Sequence, residues 1–308
     1  MTPCSIRASM WSCLVIAGGL LLAACGQSDS ASSPDAPRYV TTIPPFEMIL
    51  RPLVEGRGTV DRLLDPGTSP HTYDPTPSDL RAVTNATALV YGADHLDGWA
   101  ADLPAARRLG LVDLLPPTVH LQLDDGEPGP HTGTIDPHFW TDPLAVKRLL
   151  PALTDTLCAI DAPGCATYRA NADSFATTLA ALDARLQSIT APVHDSRVLL
   201  AQPFFRYFLH RYGPQLVGIV ETRPGTEPTP RTLHRLVRRA EASGAHAVLT
   251  QKQLSPRAAS AVAEPLALPL IELDPLGGTD GRTTYRALMT ANARLLRDSL
   301  TSRMGNSE

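Results

Sequence analysis

The distribution of apolar residues along the chain predicts two similar halves, each built from short strands that alternate with helices. Such alternation is typical of a parallel sheet covered by helices. In the first half the predicted strands are Arg38–Ile43, Gly58–Leu64, Thr87–Tyr91 and Leu109–Leu114, and the helices are Phe46–Val54, Ser78–Ala86 and Leu96–Leu103. In the second half the predicted strands are Arg197–Ala201, Gln215–Glu221, Ala245–Thr250 and Leu268–Leu273, and the helices are Phe204–Arg211, Pro230–Ser243, Ser255–Ala263 and Thr284–Ser302.

Between these halves the apolar pattern becomes helical over a longer stretch. A first helix should follow Asp142, a good N-cap, although Pro151 is expected to kink or interrupt it. A stripe from Phe175 to Ile189, with steps of four and three and no Pro or Gly, predicts one long amphipathic helix. We therefore expect an α/β fold with two lobes, each with a four-stranded, mostly parallel sheet covered by helices, joined by one long linking helix. The expected boundaries are 38–160 for the first lobe, 161–193 for the linking helix and 194–308 for the second lobe.

The N-terminal segment is typical of an export signal rather than of a folded element. Arg7 precedes the apolar run Trp11–Ala24, which is shorter than a membrane-spanning helix requires. The run ends in Leu-Ala-Ala before Cys25, which resembles a bacterial lipobox. We expect residues 1–24 to be a lipoprotein signal peptide, Cys25 to carry the lipid, and residues 25–37 to form a flexible tether. The alternative is an ordinary signal peptide with an incidental cysteine.

Two further cysteines, Cys158 and Cys165, are separated by a Pro-Gly turn. In an exported chain such a pair favours a disulfide over a metal site, and no histidine lies close by in the sequence. We expect a disulfide at a junction between two helices.

Composition places few further limits on function. The chain has 308 residues, of which 43% are hydrophobic, so it is long enough for two modest hydrophobic cores. Its formal net charge of -4 gives no reason to expect a nucleic-acid partner.

Two histidines lie on loops that follow predicted elements. His71 lies in P-G-T-S-P-H-T-Y-D-P, whose prolines and glycine exclude helix and sheet, and His138 lies in D-P-H-F-W-T-D-P. Ligand crevices of open parallel sheets lie beyond the carboxyl ends of the strands, where Gln202 and Asp274 follow two strands of the second half. We therefore expect all four side chains to face one cleft between the lobes. Two imidazoles and a carboxylate suit a divalent transition metal.

The two histidine motifs together resemble those of the metal-binding lipoproteins of zinc- and manganese-type ABC importers, the cluster A-I or cluster 9 solute-binding proteins. The resemblance extends from about Tyr39 to the C-terminal helix. It implies an extracytoplasmic binding protein, not an enzyme, that captures Zn²⁺, or alternatively Mn²⁺, as cargo and delivers it to an ABC permease. It also implies that His71, His138 and Asp274 are ligands and that the linking helix limits motion between the lobes. We expect a monomer, held to the membrane by its lipid, in the periplasm or at the cell surface.

The third ligand position departs from this family pattern. Relatives carry histidine or glutamate where this chain has Gln202, and they often carry glutamate where it has Gln251. An amide oxygen is a weaker donor, so Gln202 is expected to be a weak fourth ligand or to lie beside the ligands. His194 and His210 are less favoured candidates, because neither follows the end of a strand. The two imidazoles favour zinc, while oxygen at the third position keeps manganese open.

Two other functions remain compatible with these residues. Two histidines and a carboxylate with an open coordination position are typical of metallohydrolases, although the chain has no H-E-x-x-H motif. The glutamines also suggest a divergent adhesion or scaffold lipoprotein with weakened metal binding. Residues 116–137, which include His120 and His131, are expected to form a solvated loop.

Overall fold

A computed structural model describes residues 36–123, 134–222 and 227–304. These residues belong to one compact unit, Asp35–Glu308. The predicted signal peptide, Cys25, most of the tether and His131 lie outside the described residues. Within the described part of the chain, no helix combines the length and the apolar character that crossing a membrane would require.

Two parallel sheets of four strands each form the frame of the molecule, which confirms the predicted α/β class. The first sheet has the order β2-β1-β3-β4 and the second has the order β6-β5-β7-β8, so both halves follow one plan. The strands are β1 Arg38–Thr41, β2 Thr59–Arg62, β3 Ala88–Tyr91, β4 Arg108–Gly110, β5 Arg197–Leu200, β6 Gln215–Ile219, β7 Ala247–Gln251 and β8 Leu270–Leu273.

The helices surround these sheets, and several start at the residues that the sequence indicates. Asp142 caps α5 by accepting a hydrogen bond from the Leu144 N–H at 2.8 Å, and Thr229 caps α8. Thr76 caps α2 in a capping box with Asp79, so this helix begins at Pro77, one residue before the predicted start at Ser78. The helices are α1 Pro44–Val54, α2 Pro77–Thr84, α3 Asp94–Asp97, α4 Leu111–Leu114, α5 Pro143–Ile160, α6 Cys165–Thr190, α7 Arg206–Tyr212, α8 Pro230–Ser243, α9 Arg257–Ala263 and α10 Tyr285–Met304.

Two local predictions differ from the structure. The predicted strand Leu109–Leu114 ends at Gly110, and α4 follows at once. The apolar run there reflects burial, which does not distinguish a strand from one helical turn. Helix α5 also continues through Pro151, which lies on its exposed side, where water can satisfy the carbonyl that loses its donor.

The long linking helix predicted from the sequence is α6. Its apolar stripe, Phe175, Leu179, Leu182 and Leu186, is buried in a core that continues into both lobes. The helix packs against α1 and α5 from the first half and against α10 from the second. A disulfide between Cys158 and Cys165 spans the turn from α5 to α6. This helix therefore joins the two lobes through continuous side-chain packing.

Asp183 attaches α6 to α7, and its replacement with asparagine is expected to destabilise the protein. Its carboxylate accepts two hydrogen bonds from Arg211, at 2.9 and 2.8 Å, and one from the Tyr212 hydroxyl at 2.9 Å. Burial opposes ionisation, but the Arg211 and Tyr212 bonds outweigh it and lower the pKa of Asp183. Because the folded-state pKa is the lower one, this stabilisation is present above about pH 4 and is lost as the pH falls through the folded-state pKa.

At pH 7 we expect Asp183→Asn to lower the free energy of unfolding by about 2 kcal/mol. Urea unfolding at pH 7 and pH 3 should show a smaller dependence on pH than in the wild type. Asp173, exposed on the same helix, provides the matched control Asp173→Asn. Equal effects of the two substitutions would contradict the role assigned to Asp183.

Candidate metal site

The two histidines of the sequence motifs lie side by side. His71 belongs to a short 3-10 turn, Pro70–Thr72, which is fixed by a hydrogen bond from Trp99 Nε1 to the Pro70 carbonyl at 2.9 Å. His138 is buried and immediately precedes a second 3-10 turn. The centres of the two imidazole rings are 5.9 Å apart. This separation allows both rings to contact one ion.

Each imidazole has one nitrogen fixed by an acceptor of the protein. His138 Nδ1 is 2.7 Å from Asp136 Oδ1, which leaves its Nε2 for a ligand. The His71 ring forms a hydrogen bond with the backbone of His95. Burial, and then the electrostatic interaction with His138, lower the pKa of His71 to about 4, so His71 is neutral at neutral pH. Fixing one nitrogen of a neutral imidazole is how proteins orient the other towards a metal.

Asp136 connects this pair to the second lobe. Its side chain is fully buried, and its second oxygen accepts a hydrogen bond from Arg206 at 3.2 Å. The same Arg206 nitrogen donates to the Gln122 carbonyl at 2.7 Å. The sequence-based prediction of site residues missed Asp136, although its position two residues before His138 was the available signal. Arg206, the first residue of α7 in the second lobe, thus helps to orient His138 in the first lobe through Asp136.

A row of polar side chains lies at the carboxyl ends of the strands of the second sheet, in the spatial order Glu221, Gln202, Gln251 and Asp274. Gln202 is 3% exposed, and its Nε2 donates to Glu221 Oε2 at 3.0 Å. Its Oε1 accepts a hydrogen bond from Gln251 Nε2 at 3.4 Å. An amide oxygen has two lone pairs, so Gln202 retains one for a further partner. Glu221, which was not among the predicted site residues, fixes the orientation of this amide.

Asp274 is surrounded by donors. Its Oδ1 accepts from the N–H groups of Leu276 and Gly277 and from Gln253 Nε2, at 3.1, 2.9 and 3.2 Å. Its Oδ2 accepts from Arg282 at 2.9 Å. Burial opposes ionisation, but these bonds lower the pKa of Asp274 below its ordinary value. The carboxylate is therefore ionised, and both of its oxygens are engaged.

The loops that carry the predicted ligands meet at the boundary between the lobes. Trp140, two residues after His138, donates from Nε1 to the Pro275 carbonyl at 2.9 Å. Gly278 lies against Pro66 of the His71 loop so closely that a Cβ atom there would be 2.8 Å from the proline ring. The loop that follows β8 therefore contacts both histidine loops.

The structure brings only part of the predicted ligand set together. Within residues 36–123, 134–222 and 227–304, no three histidine, cysteine, aspartate or glutamate side chains are grouped closely enough to hold a metal ion. His71 and His138 are adjacent, whereas Asp274 is paired with Arg282. His194 and His210, the less favoured candidates, are exposed and line a different groove with Pro214 and Leu216.

Comparison with known proteins identifies the family of this chain. The sequence model of the family described as "Zinc-uptake complex component A periplasmic" matches residues 40–299, which is most of the chain. The chain belongs to this zinc-uptake family. The family consists of metal-binding transport proteins rather than enzymes. The metallohydrolase and scaffold alternatives are not favoured.

Individual zinc and manganese proteins are similar to this chain over most of its length. The high-affinity zinc uptake system protein ZnuA of Bacillus subtilis is 25% identical over 312 residues, which cover 94% of this chain and 98% of the relative. The manganese-binding lipoprotein MntA of Halalkalibacterium halodurans is 28% identical over 238 residues, covering 74% and 75%. The solved structure of FpvC from Pseudomonas aeruginosa in complex with Mn²⁺ has a TM-score of 0.73 and 18% identity, covering 86% of this chain and 99% of that one.

Proposed function

We propose that this protein is the extracytoplasmic component of an ABC importer that captures a divalent transition metal and delivers it to the permease. The observation that carries the proposal is the pair His71 and His138. Their rings are 5.9 Å apart, and each has one nitrogen fixed by an acceptor of the protein. Such an arrangement orients one nitrogen of each imidazole towards an ion.

The proposed ligands are His71, His138 and Asp274, with Gln202 as a weak oxygen donor or a neighbour of the ligands. Zn²⁺ is favoured because imidazole suits it well, and Mn²⁺ is the alternative because the remaining donors are oxygens. Relatives named for zinc uptake and for manganese binding support both ions. Asp136 orients His138, and Glu221 orients Gln202.

The proposed cellular setting is outside the cytoplasm. After removal of residues 1–24, a lipid on Cys25 would hold the protein to the membrane through the tether 25–37. A relative named as a manganese-binding lipoprotein supports this anchor. The lobes 38–160 and 194–308 would hold the metal between them as a monomer, with 161–193 as the linking segment.

Calorimetric titration of the purified, metal-stripped protein with Zn²⁺ and then Mn²⁺ tests the proposal. We expect one ion per chain and a rise in melting temperature on binding, because a ligand of the folded state stabilises it by mass action. If Gln202 contacts the metal, Gln202→His should raise zinc affinity by about tenfold or more. Absence of binding and of thermal stabilisation with both metals would contradict the proposed function.

A further inference from the structure

Arg282 is hydrogen-bonded to the carboxylate of Asp274, which the proposed metal site requires as a ligand. Its guanidinium lies 2.9 Å from Asp274 Oδ2, while the other oxygen of Asp274 is taken by two backbone N–H groups and Gln253. Asp274 is only 5% exposed, so its carboxylate is shielded from water. The backbone N–H groups donate to Oδ1 of Asp274, whereas Oδ2 accepts its hydrogen bond from Arg282.

The backbone between Gly277 and Arg282 turns so that Arg282 lies next to Asp274. The segment from Gly277 to Arg282 forms a tight turn in which the Gly278 N–H donates to the Arg282 carbonyl at 2.9 Å. Gly277, Gly278, Asp280 and Gly281 all have positive φ angles, between 53° and 91°. Three glycines permit this path at little steric cost. The turn brings Arg282 back to Asp274, which lies eight positions earlier in the chain.

A divalent ion and a guanidinium compete for one carboxylate oxygen. If the metal bound Asp274 while Arg282 stayed in place, two positive groups would share the same acceptor in a shielded site, where their repulsion is strong. The Arg282 side chain is 27% exposed, so it has access to water when it leaves Asp274. Exchange of one cation for another keeps the buried carboxylate compensated throughout.

We propose that Arg282 is an affinity-setting residue that occupies Asp274 in the metal-free protein and is exchanged for the metal on capture. This inference rests on the proposed function, because it concerns the same site. The arginine lowers affinity by holding the carboxylate that the ion needs. It also favours release, because it returns to Asp274 when the ion leaves.

Zinc titration of the purified, metal-stripped protein and its Arg282→Gln variant tests this inference. Loss of the competing guanidinium should lower the zinc Kd by about tenfold. The matched control is Arg286→Gln, which removes the same charge from an exposed position at the start of α10 and should leave the Kd unchanged. In an Asp274→Asn background, Arg282→Gln should have no effect on zinc affinity, because the contested carboxylate is gone.

Thermal melting gives a second measurement that a purely structural role would not reproduce. Metal-free Arg282→Gln should melt below the wild type, and its rise in melting temperature with zinc should be larger. An unchanged or weaker zinc affinity in Arg282→Gln overturns the role of Arg282 while the proposed function stands. Failure of every protein to bind zinc or manganese overturns both.

Discussion

Replacement of His138 with alanine is expected to lower zinc affinity by more than about a hundredfold, since loss of an outer partner alone costs ten- to hundredfold. His138 is 4% exposed and is aligned by the fully buried Asp136. Its removal deletes one of the two donors that the structure holds ready. Calorimetry with the metal-stripped variant measures the effect directly, and Mn²⁺ binding should fall in the same direction.

Two variants make this expectation specific to the site. Asp136→Asn keeps the ligand but replaces the carboxylate that aligns it, so zinc affinity should fall by about ten- to hundredfold. His210→Ala removes an exposed histidine of α7 and should leave the affinity unchanged. A His138→Ala variant that retained the wild-type Kd would show that the metal is bound elsewhere.

Trp140→Ala is expected to have the largest effect on folding. Trp140 is fully buried, packs edge-on against Phe46 at 5.4 Å, and donates to the Pro275 carbonyl. Its own carbonyl accepts a hydrogen bond from the Tyr285 hydroxyl at 2.6 Å. Removing the ring leaves a cavity where the lobes meet, so the free energy of unfolding should fall by about 4 kcal/mol.

Trp140→Phe separates packing from hydrogen bonding at the same position. It retains most of the apolar volume but loses the indole N–H, and should cost about 1 kcal/mol for the lost hydrogen bond. Urea unfolding measures both variants, with Leu295→Ala as a control because Leu295 is 39% exposed on α10. A cost for Trp140→Ala no larger than that for Leu295→Ala would contradict the packing role.

The sequence predicted the fold well because the alternation of strands and helices follows from periodic burial. The repeated plan of the two halves and the long stripe of α6 were visible for that reason. The prediction of a strand over Leu109–Leu114 was wrong beyond Gly110, because a short run of buried apolar residues is also compatible with a helical turn. Helix α2 begins at Pro77 rather than at the predicted Ser78, because Thr76 caps it and proline fits the first turn of a helix.

The candidate site could be predicted only in part, because some of its residues form hydrogen bonds with residues that are far away in the sequence. The two histidine motifs were visible as local patterns, and their adjacency is seen in the structure. Asp136 meets Arg206 seventy positions later, and Gln202 meets Glu221 nineteen positions later. No local pattern shows such pairings. The bond between Asp274 and Arg282 spans only eight positions, but it depends on the left-handed turn between them.

The bond between Gln202 and Glu221 has an evolutionary consequence. Glutamine codons differ from histidine codons only in the third base, so a single nucleotide change would place an imidazole at the end of β5. Glu221, whose carboxylate already accepts a hydrogen bond from Gln202 at 3.0 Å, could then accept one from the new ring, as Asp136 does from His138. One mutation would therefore place an imidazole at the end of β5 beside a carboxylate that is already in position to accept its N–H.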